Sequence, residues 1–168
     1  ARGHLTLWTR ADSPLRLTRL EALAQPQVRR IAIASPTHAP YGMAAREALQ
    51  SVGLWTQLQP KLVMGENIRQ TLQYAATGNV DAALVALSLS VQHPGRWVRV
   101  AEHHHRPIIQ TLAVLKRTRH EVQARQFAMF IIGTQSRPIM QKYGFALPAP
   151  PFTIGGPGGI SVSEGARP

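Results

Sequence analysis

The sequence has no cysteine, few acidic residues and no long apolar run. Without cysteine, the chain has neither a disulfide framework nor a thiolate metal site. Its longest apolar runs, such as residues 127–132, are far too short to span a bilayer. The G-x-S-x-G, P-loop and zincin motifs are also missing, and no acidic residues form an evident acid/base pair. The sequence therefore predicts a globular protein that is not an enzyme.

The charge is strongly unbalanced, with 19 basic and 8 acidic residues and a formal net charge of +11. Such a charge favours nucleic acid or an anionic membrane as a partner. However, the basic residues are dispersed, and 16 of the 19 are arginine, which a GC-rich genome also produces. We therefore expect no nucleic-acid partner.

The first half of the chain alternates between strand-like and helix-like segments. Gly53 and Gly78 follow two of the predicted helices, and Asn67 is a predicted N-cap. Strands are predicted at residues 5–8, 30–34, 61–64 and 82–87, and amphipathic helices at residues 15–23, 40–52 and 67–77. The apolar positions expected to face the core are Leu17, Leu20, Ala22 and Leu23 in the first helix, Ala44, Ala45, Ala48, Leu49 and Val52 in the second, and Ile68, Leu72, Ala75 and Ala76 in the third. This order predicts an α/β layer with a mostly parallel sheet.

The second half of the chain has a different pattern. A strand is predicted at residues 97–101, and helices are predicted at residues 119–132 and 135–143. From residue 146 onward, proline and glycine are so frequent that we expect a flexible tail without helix or strand.

Two turns carry the functional information, because each joins a strand directly to a helix. The first is residues 34–42, and the second is Gly65-Glu66-Asn67-Ile68. A helix start presents backbone N–H groups and the positive end of the helix dipole. Two such turns in one parallel sheet predict a site that holds a small anion with backbone donors.

The run His103-His104-His105 raises the alternative of a metal site. Consecutive residues in a strand or loop point in different directions, and no other ligand stands at a helical spacing from them. Metal binding by these residues is therefore the weaker hypothesis.

Several short segments together resemble the periplasmic molybdate-binding proteins of ABC transporters. The similarity runs from about residue 4 to residue 148, and it rests on the order and spacing of the segments. They include Ala39-Pro40-Tyr41-Gly42, Gly53-Leu54-Trp55, Gly65-Glu66-Asn67-Ile68, Ala76-Thr77-Gly78-Asn79, Val85-Ala86-Leu87-Ser88 and Lys142-Tyr143-Gly144-Phe145.

The resemblance implies a type II periplasmic-binding-protein fold with two lobes, here truncated at the N-terminus. The chain would hold one full lobe and the returning part of a second, incomplete lobe. The expected segments are a first crossover with a linker helix (1–25), lobe two (26–105), the return crossover and lobe-one helices (106–146), and a flexible tail (147–168). The apolar stripes of the last two helices would then be only partly covered.

The resemblance also implies a set of site residues. Tyr41 and Ile68 would bind the oxyanion through their backbone N–H groups, with possible support from Pro40, Asn67 and Ser88. Some relatives add a tyrosine hydroxyl at the position of Ala86, which removes that donor here. Their lobe-one side-chain ligands have no counterpart in this chain.

The implied function is capture of molybdate or tungstate in the periplasm and delivery to the permease of an ABC importer. The protein would need no cofactor besides its ligand and would be monomeric when full length. Two alternatives stay open. One is a receptor for another oxyanion, such as sulfate, thiosulfate or phosphonate. The other is the effector-sensing domain of a transcription regulator.

Overall fold

The computed structural model describes residues 1–147, 153–154 and 160–161. The chain divides into two compact units, Gly3–Ile108 and a second unit that combines Ala1–Arg2 with Ile109–Pro168. The four segments expected from the sequence stay a prediction. The strands are β1 (Arg2–Gly3), β2 (Leu5–Thr9), β3 (Ile31–Ala34), β4 (Leu62–Gly65), β5 (Ala82–Ala86), β6 (Arg96–Arg99), β7 (Ile108–Ile109), β8 (Thr153–Ile154) and β9 (Ile160–Ser161). The α-helices are α1 (Pro40–Ser51), α2 (Trp55–Leu58), α3 (Ile68–Ala76), α4 (Leu87–Ser90), α5 (Glu121–Ile132) and α6 (Arg137–Lys142).

The unit Gly3–Ile108 is built on a five-stranded sheet in the order β4-β3-β5-β2-β6. Strand β3 pairs in parallel with β4 and β5, whereas β2 pairs antiparallel with β5 and β6. Four of the five strands therefore run in one direction, and only β2 is reversed. The sheet is mixed by pairing, and its parallel part, β4-β3-β5, is the part that leads into the two turns.

The central strands are apolar because they are covered on both faces. Every residue of β3 and β5 is buried, and α1 and α3 pack against these strands. Four of the five predicted core positions of the second helix are buried in α1, namely Ala44, Ala45, Ala48 and Leu49, and Val52, just after the helix, is half-buried. Gly53 follows this helix with φ +72°, a backbone conformation that a side chain disfavours.

Two details of the sequence prediction were wrong in this unit. Residues 15–23 do not form an amphipathic helix; a short 3₁₀ helix, Leu20–Ala24, follows Arg19, whose backbone is extended. The apolar positions Leu17, Leu20 and Leu23 are nevertheless buried, so the burial pattern did not require a full helix. In α3, Ala76 is exposed and Thr71 is buried in its stead. The Thr71 hydroxyl is satisfied because it donates to the Asn67 carbonyl oxygen at 2.9 Å.

The second unit holds α5 and α6 and has little apolar core. The backbones of Arg2 and Ala146 exchange two hydrogen bonds there, of 2.7 and 3.0 Å. Large apolar side chains remain exposed, namely Leu115, Val122, Phe127, Met129, Phe130 and Ile139. The expectation that the stripes of these two helices are only partly covered is thus confirmed.

Strands β8 and β9 form an antiparallel pair, with Thr153 opposite Ser161 and Ile154 opposite Ile160. The expectation that no strand follows residue 146 was therefore wrong at these four residues. Ala146, where the tail was expected to begin, also pairs with Arg2 in an antiparallel bridge. Residues 148–152, 155–159 and 162–168 of the predicted tail lie outside the described residues.

None of the helices in the described part of the chain is both long enough and apolar enough to cross a membrane.

Candidate functional site

A cleft of about 320 Å³ lies in the unit Gly3–Ile108, where α1 and α3 begin. It is found at the carboxyl ends of the neighbouring parallel strands β3 and β4, whose last residues are directly opposite each other. This edge is the usual ligand position in parallel α/β sheets. The cleft is lined by His38, Ala39, Pro40, Tyr41, Glu66, Asn67 and Ile68. Both predicted ligand residues and two of the predicted supporting residues thus line one cleft.

The start of α1 has no side-chain cap. Pro40, in its first turn, has no N–H to satisfy. The N–H groups of Gly42 and Met43 both donate to the Ala39 carbonyl oxygen, at 2.9 and 3.0 Å. Gly42 is needed for packing, because a Cβ there would overlap the carbonyl oxygens of Ala34 and Ser35 at the end of β3. Tyr41 lies in the first turn of the helix, between Pro40, which has no N–H, and Gly42 and Met43, whose N–H groups bond to Ala39.

The Tyr41 side chain is 7% exposed and belongs to the hydrophobic core. Its hydroxyl group lies so close to Gly3 that a Cβ at residue 3 would collide with it. The ring is therefore a packing element of the hydrophobic core. What Tyr41 can offer to a ligand is its backbone.

At the start of α3, Asn67 accepts hydrogen bonds from some of the first backbone N–H groups of the helix. The Asn67 side chain accepts from the N–H groups of Arg69 and Gln70, at 3.1 and 2.9 Å, as predicted for an N-cap. The Thr71 N–H donates to the Asn67 carbonyl oxygen at 3.1 Å. Ile68 is the first residue of the helix, and Asn67 accepts no hydrogen bond from its N–H group. The cap therefore singles out the residue that the sequence predicted, although its role as a ligand stays a prediction.

His38 connects the two turns, and the sequence analysis gave it no role. Its Nε2 lies 3.2 Å from the Glu66 carbonyl oxygen, and its Nδ1 lies 3.2 and 3.1 Å from the hydroxyl groups of Ser35 and Thr37. A carbonyl oxygen can only accept, so Nε2 carries a proton. In the neutral ring, Nδ1 then accepts from one of the two hydroxyl groups.

Among the described residues that line the cleft, none is a lysine or arginine, and Glu66 is the one acidic residue. Glu66 is exposed, and its backbone N–H donates to the Gln70 side-chain oxygen at 2.7 Å. Attraction for an anion would therefore come from helix starts and N–H groups rather than from a buried cation.

Two other predicted features lie apart from the lining residues. Ser88 is in α4, where its carbonyl oxygen accepts from the Gln92 side chain. In the histidine run, His104 Nδ1 lies 2.8 Å from the Ser51 hydroxyl group, and His105 Nδ1 lies 2.8 Å from the Arg106 carbonyl oxygen. Among the described residues, no three His, Asp or Glu side chains cluster in a way that could hold a metal ion.

Glu47 on α1 accepts two hydrogen bonds from Arg106, from its N–H at 2.9 Å and its Nε at 2.7 Å. Burial opposes ionisation of this carboxyl group. The hydrogen bonds and the charge of Arg106 outweigh that effect, so the pKa of Glu47 lies below its ordinary value. This pair ties α1 to the segment before β7, away from the cleft.

Comparison with known proteins gives consistent matches. The family model described as bacterial extracellular solute-binding protein matches residues 1–146. The molybdate-binding protein ModA of Rhodobacter capsulatus is 36% identical over 145 residues, which cover 85% of this chain and 56% of that protein. Its counterpart in Escherichia coli is 30% identical over 120 residues, covering 70% of this chain and 46% of that protein.

The solved structure of the periplasmic molybdate-binding protein of Azotobacter vinelandii has a TM-score of 0.81 and 30% sequence identity. The match covers 89% of this chain and 67% of that one. The chain spans about half the length of the two relatives compared by sequence. The fold is that of periplasmic binding proteins, with a mixed sheet flanked by helices, and the chain belongs to the bacterial extracellular solute-binding protein family.

Proposed function

We propose that this chain is part of a periplasmic receptor that captures molybdate or tungstate and delivers it to the permease of an ABC importer. The supporting observation is the cleft in which the starts of α1 and α3 meet, lined by Tyr41 and Ile68. The relatives that this chain matches include the molybdate-binding proteins of Rhodobacter capsulatus and Azotobacter vinelandii. The receptor performs no chemistry on its ligand and uses no cofactor, and the full-length protein is a monomer.

The chemistry of the cleft fits a divalent oxyanion. Removing such an ion from water is costly unless its oxygen atoms receive several replacement hydrogen bonds. Backbone N–H groups at helix starts supply these bonds from fixed positions. They also disfavour a ligand that must itself donate protons, since the donors of the cleft would find no acceptor. We expect the spacing of these donors to separate molybdate and tungstate from the smaller sulfate.

Ile68 offers a clean test, because proline is well tolerated at the first position of a helix. The preceding residue, Asn67, has φ −145° and ψ 170°, an extended conformation that proline permits before it. Ile68→Pro therefore removes the N–H with little strain. Ile68→Ala is the matched control, since it shortens the side chain but keeps the N–H.

The measurement is isothermal titration calorimetry with sodium molybdate, tungstate and sulfate. A hydrogen bond to a charged group contributes about 1.5–3 kcal/mol, so Ile68→Pro is expected to weaken molybdate binding about 10- to 100-fold. Ile68→Ala is expected to stay close to the unmodified chain. Equal affinities of the two folded variants would refute the role of this N–H. Binding of sulfate in preference to molybdate would assign the receptor to another oxyanion.

A further inference from the structure

The two turns that line the cleft are joined by a side chain as well as by the sheet. The Ser35 N–H donates to the Gly65 carbonyl oxygen at 2.8 Å, which continues the pairing of β3 and β4. Three residues farther along, His38 reaches the Glu66 carbonyl oxygen at 3.2 Å. The two helix starts are therefore connected on the side of the cleft itself, since His38 and Glu66 both line it.

The geometry points to His38 as a positioning residue that sets the spacing between the two helix starts, and hence the size of oxyanion that fits. This inference rests on the proposed function. The Glu66 carbonyl oxygen belongs to the peptide unit just before the one that contains the Ile68 N–H. Holding that carbonyl fixes the direction of the next N–H, because adjacent peptide planes share a Cα atom and few soft dihedral angles.

The other ring nitrogen keeps His38 in place. Nδ1 is within hydrogen-bonding distance of both Ser35 and Thr37, so the ring is held from its own turn while Nε2 reaches across. The hydroxyl groups of Ser35 and Thr37 lie 2.8 Å apart and bond to each other. The result is a small polar network anchored to the end of β3, with a single donor directed at the opposite turn.

Two substitutions separate this role from a general loss of structure. A glutamine at residue 38 can place its amide N–H near the position of Nε2, so His38→Gln preserves the link to Glu66. An asparagine is one carbon shorter, so His38→Asn can bond to Ser35 or Thr37 but does not reach Glu66. Both side chains are neutral and polar, and residue 38 is exposed, so both variants are expected to fold.

The first measurement uses the ligand-free chain. In a ¹H–¹⁵N correlation spectrum, the Ile68 amide signal is expected to shift in His38→Asn and to stay near its original position in His38→Gln. An Ile68 signal that does not move in His38→Asn would overturn the inference, whether or not the chain binds an oxyanion.

The second measurement is calorimetric titration with sodium molybdate and sodium sulfate. We expect His38→Asn to weaken molybdate binding about 5- to 30-fold and to reduce the preference for molybdate over sulfate, with His38→Gln within about threefold of the unmodified chain. An unchanged preference in His38→Asn, despite a shifted Ile68 signal, would also overturn the inference. If the unmodified chain binds neither anion, the proposed function fails, and the amide signal still decides whether His38 positions the turn.

Discussion

The two units of this chain use apolar side chains in opposite ways. In Gly3–Ile108, residues of strands and helices meet across a sheet, and side chains such as Leu7, Ile33 and Leu84 are almost completely buried. In the second unit, α5 also carries large apolar side chains, yet Phe127 is 64% exposed and Val122 is 66% exposed. A periodic apolar stripe shows where a helix can pack. Burial and its stabilisation require an opposing surface as well.

The largest expected effect compares one side chain from each unit. Leu84→Ala removes buried atoms from the central strand β5 and leaves a cavity, which is expected to lower the free energy of unfolding by about 2–5 kcal/mol. Phe127→Ala removes a larger but exposed side chain, and we expect a change within about 0.5 kcal/mol. Urea unfolding followed by circular dichroism measures both. A comparable loss for Phe127→Ala would show that its ring is buried in solution.

The second prediction concerns the exposed face of α5. Contiguous exposed apolar side chains favour association, so we expect the chain to self-associate at micromolar concentrations. Replacing Phe127 and Phe130 together by glutamate is expected to raise the dissociation constant at least about tenfold, which corresponds to about 1.4 kcal/mol. Sedimentation velocity over a concentration series measures this.

Gln123→Glu is the control for the added charge, because residue 123 is exposed on the same helix. A chain that is monomeric at every concentration would contradict the prediction. Equal effects of the control and the double variant would assign the association to charge instead of apolar contact.

Much of the unit Gly3–Ile108 could be predicted from the sequence, because its signals are local. Asn67 caps α3 through its own side chain, and Gly53 has the positive φ that follows a helix. Both depend only on neighbouring residues. The cleft was also predictable in outline, since two strand-to-helix turns in parallel strands must lie at one edge of the sheet.

What the sequence did not predict depends on contacts between distant segments. The side chain of Tyr41 packs against Gly3, 38 positions earlier, so the ring is structural although the residue lines the cleft. Tyr41→Ala would therefore combine a cavity with any effect on binding, and Ile68 is the better test position. The link from His38 to Glu66 spans 28 residues and has no sequence signature. The exposure of Phe127 and Phe130 could be expected only from the resemblance.

The third prediction separates stability from binding at the cleft. Asn67→Ala removes the acceptor for the N–H groups of Arg69 and Gln70, and it is expected to cost about 1 kcal/mol of stability. Asn67→Asp keeps the acceptor, so its stability should stay close to that of the unmodified chain. The added negative charge next to the anion is expected to weaken molybdate binding. Thermal unfolding and calorimetric titration of both variants check this, and an Asn67→Asp chain with unchanged affinity would place the anion away from α3.

The smallest expected effect tests whether the well-packed unit also depends on an ion pair at its surface. The lowered pKa of Glu47 means that the folded state favours its charged form. Its contribution to stability is therefore complete above the ordinary pKa of a glutamate and is lost as the pH falls through the lowered pKa of the folded state. Glu47→Gln should destabilise the chain slightly at pH 7, by less than Asn67→Ala does, because Arg106 is largely exposed and solvent screens the pair.

Urea unfolding of the unmodified chain and of Glu47→Gln between pH 7 and pH 3 should show that their difference in stability shrinks as the pH falls. Glu21→Gln, at an exposed glutamate of the same unit, is the control. A difference that is constant over this pH range would mean that Glu47 stabilises α1 through packing rather than through its charge.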